Sequence, residues 1–316
     1  MPAEGRTYVS RPLSDLSLAY TNSMSVRNGP FPVKYVTKKK GSVYVMQPEN
    51  LRNVNTGPRS YLEPAERSHW VPAPHAFNLD HHSLYDLIDV NHAMFDMDEI
   101  LDPSEAMTMT MTGQLMVSAE VDARDACFQA GAFDASHTST PAQKWNTGNG
   151  DPINDLNEAA LQVLIGCGQK ANAVLIAGNV WAELVSNTKI VNRFQYVREG
   201  DLTPAQFSGL FTWLTPENVF IGDMINDTAE EGADANNELI WQDNCLVFHR
   251  QAGMANAAMN QALQIGFGRS FEYQRNRYVR EYKVENPEAD AIYVGMDYDH
   301  NVTENNAGYL FTSVLN

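Results

Sequence analysis

The feature that most constrains this chain is the uneven distribution of charge and proline along it. The first 75 residues contain ten Lys or Arg against five Asp or Glu, a net charge of +5, and eight prolines lie between residues 12 and 74. The remaining residues contain twelve against thirty-four, a net charge of −22. A basic, proline-rich segment cannot easily bury a core of its own. It is either a solvated tail or a segment that opposite charge steers onto an acidic surface, of its own subunit or of a neighbour.

The overall composition excludes several classes of protein. The chain has 316 residues, of which 43% are hydrophobic, so disorder throughout is excluded. Its net charge of −17 argues against a dedicated duplex-DNA binder, which needs a basic surface. The three cysteines lack CxxC spacing, which predicts a reducing compartment rather than a disulfide scaffold or a structural zinc site. We expect neither a signal peptide nor a membrane span, because no apolar run is long enough.

The first third of the chain predicts an arm followed by a long hairpin. Residues 11–24 show helical spacing of apolar side chains, and a helix this short needs a surface to pack on. Residues 33–46 predict a strand with a bend at Gly41, and residues 70–78 predict an edge strand that tolerates proline. Together they indicate a hairpin with a tip of about 20 residues. The apolar positions of the arm helix are Leu13, Leu16, Tyr20 and Met24.

A long helix is predicted next. Asp102 is a suitable N-cap, Pro103 suits the first turn, and Gly131 is a natural stop, which frames a helix of about 28 residues. Small and apolar residues recur along it every three or four positions, so it should pack closely against a sheet. These residues are Met109, Met116, Ala119, Ala123, Ala126 and Ala130.

The rest of the chain predicts two further kinds of structure. Helices and strands alternate from residue 151 to residue 249, which is typical of an α/β lobe. The predicted helices cover 151–166, 179–186 and a stretch from the Thr203 cap to near Trp213, and the predicted strands cover 173–178, 218–223 and 238–249. From residue 270 a period of two predicts an antiparallel sheet. Its strands lie within 271–285, 291–298 and 308–315. The fold class is therefore α+β.

The search for chemistry finds no complete motif. The histidines His81, His82 and His92 lie near Asp86 and Asp89, but they match no metal-ligand spacing, and the segment reads as ordinary amphipathic structure. Neither a GxSxG nor an HExxH nor a P-loop pattern is present. We therefore expect no catalytic residue, no cofactor and no metal, and we expect the protein not to be an enzyme.

The order and local phrasing of the segments resemble the major capsid proteins of tailed bacteriophages with the Hong Kong 97-type fold. The resemblance runs along almost the whole chain. Five segments carry it: RPLSDLSLAYTNS, PFPVKYVTKKKGSVYVMQPEN, the helix after Asp102-Pro103, KWNTGNGDPINDLNEAALQVL, and ANAVLIAGNVWAELVSNTKI with the later NVFIGD. The resemblance implies an N-terminal arm (1–33), an extended loop (34–78), a peripheral domain with the spine helix (79–135) and the last strands (270–316), and an axial α/β domain (136–269).

The same resemblance implies a structural role. The chain would assemble with itself, as hexamers and pentamers, into the icosahedral head that encloses double-stranded DNA without sequence-specific binding. A separate scaffolding protein, a portal and a decoration protein would be further partners, no membrane would be involved, and the virion would be assembled in the cytoplasm of the host bacterium. Arm contacts with a neighbour would come from Leu13, Leu16, Tyr20 and Met24. Basic contacts of the loop would come from Lys38, Lys39, Lys40, Arg52, Arg59 and Arg67.

Three alternatives remain at this point. One is an encapsulin-like compartment, which uses the same fold to enclose cargo enzymes. Another is an α/β-hydrolase-like enzyme with a basic flap, although no nucleophile motif supports it. The third is a head decoration or tail protein. The acidic body would suit the capsid reading, because the inner face of such a shell should repel the phosphates of packaged DNA.

Overall fold

The computed structural model describes most of the chain, with gaps. The described residues are 8–20, 22–45, 58, 60–62, 64, 73–89, 102–129, 131–194, 202–229, 232–251, 265–285 and 288–316. Within this part of the chain, no helix is both long enough and apolar enough to cross a lipid bilayer.

The described residues form six α-helices and fourteen strands. The helices are α1 (Arg11–Ala19), α2 (Pro103–Phe128), α3 (Pro152–Cys167), α4 (Gly178–Ser186), α5 (Thr188–Phe194) and α6 (Pro204–Ser208). The strands are β1 (Tyr8–Val9), β2 (Val33–Val36), β3 (Lys40–Val45), β4 (Ala73–Asn78), β5 (Asp80–Asp89), β6 (Thr138–Ser139), β7 (Ala173–Ala177), β8 (Val219–Gly222), β9 (Ile225–Asp227), β10 (Asn237–Leu239), β11 (Cys245–Phe248), β12 (Gly268–Glu285), β13 (Glu288–Val302) and β14 (Gly308–Phe311).

The first large sheet is built on the long antiparallel pair β12 and β13. Its strand order is β1, β12, β13, β5, and β2 adds to β12 in parallel. Both α1 and α2 pack against one face of this sheet. The buried apolar residues between them are Leu13, Met111, Leu115, Val279, Ile292 and Val294. The prediction of an antiparallel sheet covered by a long helix is confirmed.

The spine helix α2 begins as predicted and ends slightly early. The Asp102 carboxylate accepts a hydrogen bond from the Ser104 backbone N–H at 2.9 Å, so the predicted N-cap is confirmed. The helix stops at Phe128 because Gln129 is extended, and Gly131 lies in the following turn with φ +89°. Ala119 and Ala123 are fully buried, whereas Met109 is 39% exposed and does not belong to the predicted seam.

The second large sheet forms the core of the axial lobe. Its strand order is β6, β14, β11, β7, β8, with β7 and β8 parallel and β11 antiparallel to both of its neighbours. Helix α3 packs against β11 and β14, and α4 packs against β7 and β8. Side chains that are almost completely buried in this core include Trp145, Leu156, Val163, Ile176, Leu184 and Val247.

Three predictions for the lobe and the last strands are wrong in detail. The predicted strand over 238–249 is two strands, because the chain turns between β10 and β11 with Gln242 at φ +46°. The helix that starts at the Thr203 capping box ends at Ser208, well before Trp213. Strand β14 pairs with β11 and β6 rather than with the first sheet, so the end of the predicted 270–316 unit contributes to the axial core.

The arm helix α1 packs on its own subunit. Leu13 is only 7% exposed and lies in the core beneath the first sheet. The Ser14 hydroxyl accepts a hydrogen bond from the Val279 backbone N–H at 3.1 Å, and the Ser17 and Thr112 hydroxyls lie 2.9 Å apart. The subunit itself thus buries most of the Leu13 side chain, and the contact of Leu13 with a neighbouring subunit stays a prediction.

Two other predicted arm residues differ from Leu13. Leu16 is partly buried against the same core, and the Tyr20 carbonyl accepts a hydrogen bond from Arg277 Nη1 at 2.9 Å. Met24, in contrast, is 53% exposed. Of the four predicted arm contacts, Met24 is thus the one whose side chain the subunit leaves most accessible.

The substitution Leu13→Ala should destabilise the unassembled protein. Truncating a buried leucine typically costs about 2–5 kcal/mol in the free energy of unfolding. Urea denaturation followed by circular dichroism measures this cost. Leu18→Ala, which changes a half-exposed leucine of the same helix, is the matched control and should cost well under about 1 kcal/mol. Equal stability of the Leu13→Ala variant and the unsubstituted protein would contradict this docking of α1.

Candidate assembly surface

Strands β3 and β4 form a hairpin whose backbone pairing is separate from that of both large sheets. Its register runs from Lys40 opposite Asn78 to Val45 opposite Ala73. Within the described residues, these two strands pair only with each other. A two-stranded ribbon alone is marginally stable in water. The hairpin therefore depends on whatever its root and its faces contact.

Aromatic packing holds the hairpin root against the first sheet. The ring of Phe77 stacks on the ring of Phe271 of β12 with centroids 4.8 Å apart. Val36 and Leu79 are buried in the same cluster. Gly41 lies against Phe77, since a Cβ at this position would come within 2.8 Å of its ring. The predicted bend at Gly41 is wrong in position, because Gly41 lies within β3 and the chain bends at residues 37–39, between β2 and β3.

Polar contacts fix the same root to β13. The buried carboxylate of Asp297 lies 3.0 Å from Lys39 Nζ and 2.7 Å from His81 Nδ1. The backbone N–H of Asn78 donates to Asp299 Oδ2 at 2.8 Å. These contacts bind both strands of the hairpin root to one strand of the first sheet. The direction in which the ribbon leaves the subunit is set here.

The structure separates the predicted basic contacts into three groups. Lys39 pairs with Asp297 of its own subunit while 53% of its side chain stays exposed, so its contact to a neighbour stays a prediction. Lys38 and Lys40 are exposed on either side of it. The other three residues lie outside the described part of the chain: Arg52, Arg59 and Arg67.

Exposed apolar side chains occur on every part of the subunit. On α3, Leu161 and Ile165 are 52% and 59% exposed and lie one helical turn apart. The arm, the hairpin and the first sheet contribute Val9, Leu18, Met24, Tyr35, Tyr44, Tyr85 and Leu87. Single exposed apolar residues are ordinary, but neighbouring ones mark interaction surfaces. The distribution suits a subunit with contacts on several sides.

The outer face of the first sheet carries a cluster of tyrosines around one arginine. The Arg280 guanidinium lies 4.8 Å from the ring centroid of Tyr278 and 5.8 Å from that of Tyr293. Tyr85 pairs with Tyr293 across β5 and β13 and is exposed. Burial, followed by the neighbouring Tyr293 and Asp297, raises the pKa of Tyr278 to about 12. Tyrosine and arginine are enriched in protein interfaces.

The histidines and the cysteine considered as candidate chemical groups pack or hydrogen-bond with neighbouring side chains of the fold. His81 contacts Asp297 and the Tyr293 hydroxyl, and the ring of His82 stacks on Tyr298 with centroids 4.3 Å apart. Burial, with a smaller effect of Glu120, raises the pKa of the Cys127 thiol, so its thiolate is disfavoured. No group of three or more metal-binding side chains comes together among the residues with described positions.

A cavity of about 570 Å³ lies beside the C-terminal half of α2. Four carboxylates line it, together with His82 and His300 among others. The carboxylates belong to Asp80, Asp122, Asp125 and Asp299. The Asp122 carboxylate accepts a hydrogen bond from the Tyr298 hydroxyl. The cavity adds to the acidic character of this side of the subunit.

Sequence reasoning missed three buried charged residues that join the parts of the subunit. Glu120 of α2 has no exposed surface and accepts hydrogen bonds from residues 25–27 and from Trp241. Arg27 Nη2 lies 3.4 Å from Glu272 Oε1, and both side chains are buried. Burial raises the pKa of Glu272, and the charges of Arg27 and Arg277 oppose that rise. The sequence offered one sign of this junction, which is the charged Glu120 directly after Ala119 in the alanine-rich seam of the spine helix.

The buried histidine His300 predicts a specific loss of stability in acid. Burial, followed by the charge of Arg27, lowers its pKa from 6.5 to about 3, so the folded protein holds the neutral ring. The unfolded chain takes up the proton below pH 6.5. Stability should therefore fall as the pH falls from about 6.5 toward about 3, by about 2 kcal/mol at pH 5 for this group.

Urea denaturation at pH 7 and pH 5 tests this expectation. His300→Phe, whose ring would join Phe31 and Tyr298, removes the titrating group and should reduce the loss between the two pH values. An identical loss in both proteins would show that His300 does not contribute.

The comparisons with known proteins establish the fold. No protein-family model matches the chain, and no curated protein sequence matches it. A crystal structure of a phage-related protein from Bordetella bronchiseptica RB50 is similar over 98% of both chains, with a TM-score of 0.77 and 16% identity. The capsid of cyanophage P-SCSP1u matches over 93% of this chain and 89% of its own, with a TM-score of 0.59 and 15% identity.

A third solved structure widens the group. The encapsulin SrpI of Synechococcus elongatus PCC 7942 matches over 98% of both chains, with a TM-score of 0.56 and 11% identity. These likenesses define the class of fold, which is that of capsid and encapsulin shell subunits. The chain has the Hong Kong 97-type fold, as its resemblance predicted. This fold disagrees with the α/β-hydrolase alternative.

Proposed function

We propose that the chain is the major capsid protein of a tailed bacteriophage. It assembles with itself into the icosahedral head that encloses the double-stranded DNA genome. The observation that carries the proposal is the likeness of fold over nearly the whole chain to phage capsid structures. The protein is a structural component of the virion and not an enzyme.

The surface of the subunit supports this proposal. The β3–β4 ribbon pairs only with itself among the described strands, and exposed apolar residues lie on arm, hairpin, sheet and lobe. A standard interface buries about 1,600 Å², and a coat subunit forms several such interfaces at once. Each interface can therefore be weak, because in a closed shell every subunit is bound on several sides at once and the contacts act together.

The domains follow the fold with one adjustment. We assign the arm to residues 1–33, the extended loop to 34–78 and the axial domain to 136–269. The peripheral domain comprises residues 79–135 and the strands that follow residue 270. Because β14 pairs with β11, we assign the chain after Val302 to the axial domain.

The proposed partners are further copies of the chain and other head proteins. Hexamers and pentamers form the shell, and a separate scaffolding protein, a portal and a decoration protein take part in head assembly in the host cytoplasm. The acidic body repels the phosphates of the enclosed DNA, so the genome is held without sequence-specific binding. Basic residues of the loop, Lys38 and Lys40 among them, contact acidic neighbours.

An encapsulin-like shell is the second candidate. The structural likeness to the SrpI encapsulin favours it as an alternative. The two candidates differ in content, since one encloses DNA and the other encloses cargo protein.

Negative-stain imaging of the purified protein tests assembly directly. The protein should form closed icosahedral particles, either alone or when produced with the scaffolding protein of the same phage. Nuclease-protected DNA in particles isolated from infected cells identifies a capsid, and co-purifying cargo protein identifies an encapsulin. A monomer under both conditions would refute either shell function.

Removing charge from the hairpin should weaken assembly. Each exposed ion pair contributes about 0.2–1 kcal/mol, so Lys38→Gln with Lys40→Gln should raise the critical concentration for assembly about two- to thirtyfold. It should also flatten the dependence of assembly on salt. Light scattering across a salt series measures both effects.

Two further variants serve as controls for that experiment. Lys170→Gln with Lys189→Gln removes the same charge from exposed positions of the axial lobe and should have a smaller effect. Lys39→Gln breaks the contact with Asp297 and should loosen the hairpin root within the subunit. Unchanged assembly of the Lys38 and Lys40 variant at every salt concentration would contradict the proposed contact.

A further inference from the structure

Residues 25–31, which we call the linker segment, connect the arm to the hairpin and lie between the two sheets. On one side, Arg27 pairs with Glu272 of β12. On the other, Gly29 lies against Phe220 of β8, where a Cβ would come within 2.8 Å of the ring. Phe31 is fully buried at the end of the segment. The linker segment therefore contacts both the peripheral domain and the axial lobe.

A single carboxylate joins the linker segment to the lobe. Glu120 Oε2 accepts hydrogen bonds from Ser25 Oγ at 2.8 Å and from the Arg27 backbone N–H at 3.1 Å. Glu120 Oε1 accepts from the Val26 backbone N–H at 3.3 Å and from Trp241 Nε1 at 2.9 Å. Three of the four donors belong to the linker segment and one belongs to the axial lobe.

The two ends of this junction are fixed to different sheets. Ala119, which precedes Glu120, packs with Met296 of β13. Trp241 covers Gly222 of β8, where a Cβ would come within 2.5 Å of the indole. The hydrogen bond between Glu120 and Trp241 therefore joins the peripheral sheet to the axial sheet.

The burial of Glu120 makes its four hydrogen bonds interdependent. A carboxylate without exposed surface loses its interactions with water, and its donors must replace them. When some donors leave, the partly satisfied carboxylate favours an arrangement that readmits water. Loss of the donors on one side therefore weakens the contact on the other side.

From this junction, we infer that Glu120 couples the position of the arm to the orientation of the axial lobe. Displacing the linker segment removes three of the four donors and leaves Glu120 with Trp241 alone. The lobe then keeps its apolar packing against Ala123 and Cys127 of the spine helix but loses part of the polar junction that fixes its orientation. Within a shell, and only if the proposed function holds, a neighbour that pulls on the arm would change the angle between the two domains.

Hydrogen exchange on the unassembled protein tests the coupling without relying on shell formation. Ser25→Ala removes a donor on the linker side, and Trp241→Phe removes the donor on the lobe side while keeping an aromatic ring. Because each lost bond involves a charged acceptor, exchange should rise about tenfold. The rise should occur on both sides of Glu120 in each variant, in residues 22–31 and in residues 240–245.

The double variant provides the decisive comparison. If one carboxylate links the two donors, the combined effect should differ from the product of the single effects by about threefold or more. Ser23→Ala, at an exposed neighbouring position, and Trp213→Phe, which removes an indole hydrogen bond to Asn157, should leave both regions unchanged. Exchange that rises only on the substituted side, with effects that simply multiply, would overturn the inference.

Imaging of shells made from the Trp241→Phe variant tests the consequence for assembly. Shells should vary more in diameter than those of the unsubstituted protein or of Trp213→Phe. Coupled exchange with unchanged diameters would retain the coupling and refute its role in shell geometry. Absence of shells from the unsubstituted protein would instead count against the proposed function and leave the exchange result valid.

Discussion

The close packing of the spine helix on the antiparallel sheet is the contact on which the rest of the subunit depends. Ala119 has no exposed surface and packs with Met296 and Tyr298, so the helix backbone approaches β13 closely, while Ala123 is buried in the core of the lobe. The arm helix can then pack across the same face, and Leu13 completes the core between helix and sheet. Glu120 projects from the same helix toward the lobe. One helix thus organises the arm, the first sheet and the axial lobe.

Local sequence signals predicted the helices and strands better than they predicted which strands pair with each other. The caps at Asp102 and Thr203 and the buried strand β7 are decided by neighbouring residues, and they were predicted correctly. Strand β14 was predicted in the wrong sheet. Its alternating side chains predict a strand, but they do not predict which strand it pairs with. The pairing is decided by β11, which leaves one antiparallel edge for β14 within the axial core.

The same limit applies to the predicted contacts of the arm and the hairpin. Spacing identified Leu13 as apolar and Lys39 as basic, but the sequence could not distinguish a partner in the same copy from one in another. Within the subunit, Leu13 packs in the core under the first sheet, and Lys39 pairs with Asp297 while half of its side chain stays exposed. Glu120 was missed for a related reason, because a buried carboxylate is recognised by its donors, and these lie about 95 and 121 positions away in the chain.

The hairpin is held by its own subunit at the root and is more exposed beyond it. Its root is held by stacked phenylalanines and by a buried carboxylate, so its direction is determined before any neighbour binds. Its strands have no further partner among the described residues, and Lys38 and Lys40 are exposed beside the root. A ribbon with a fixed base and exposed side chains such as Tyr44 can present the same surface from every copy of the chain. Repetition of one geometry is what a closed shell requires of its subunit.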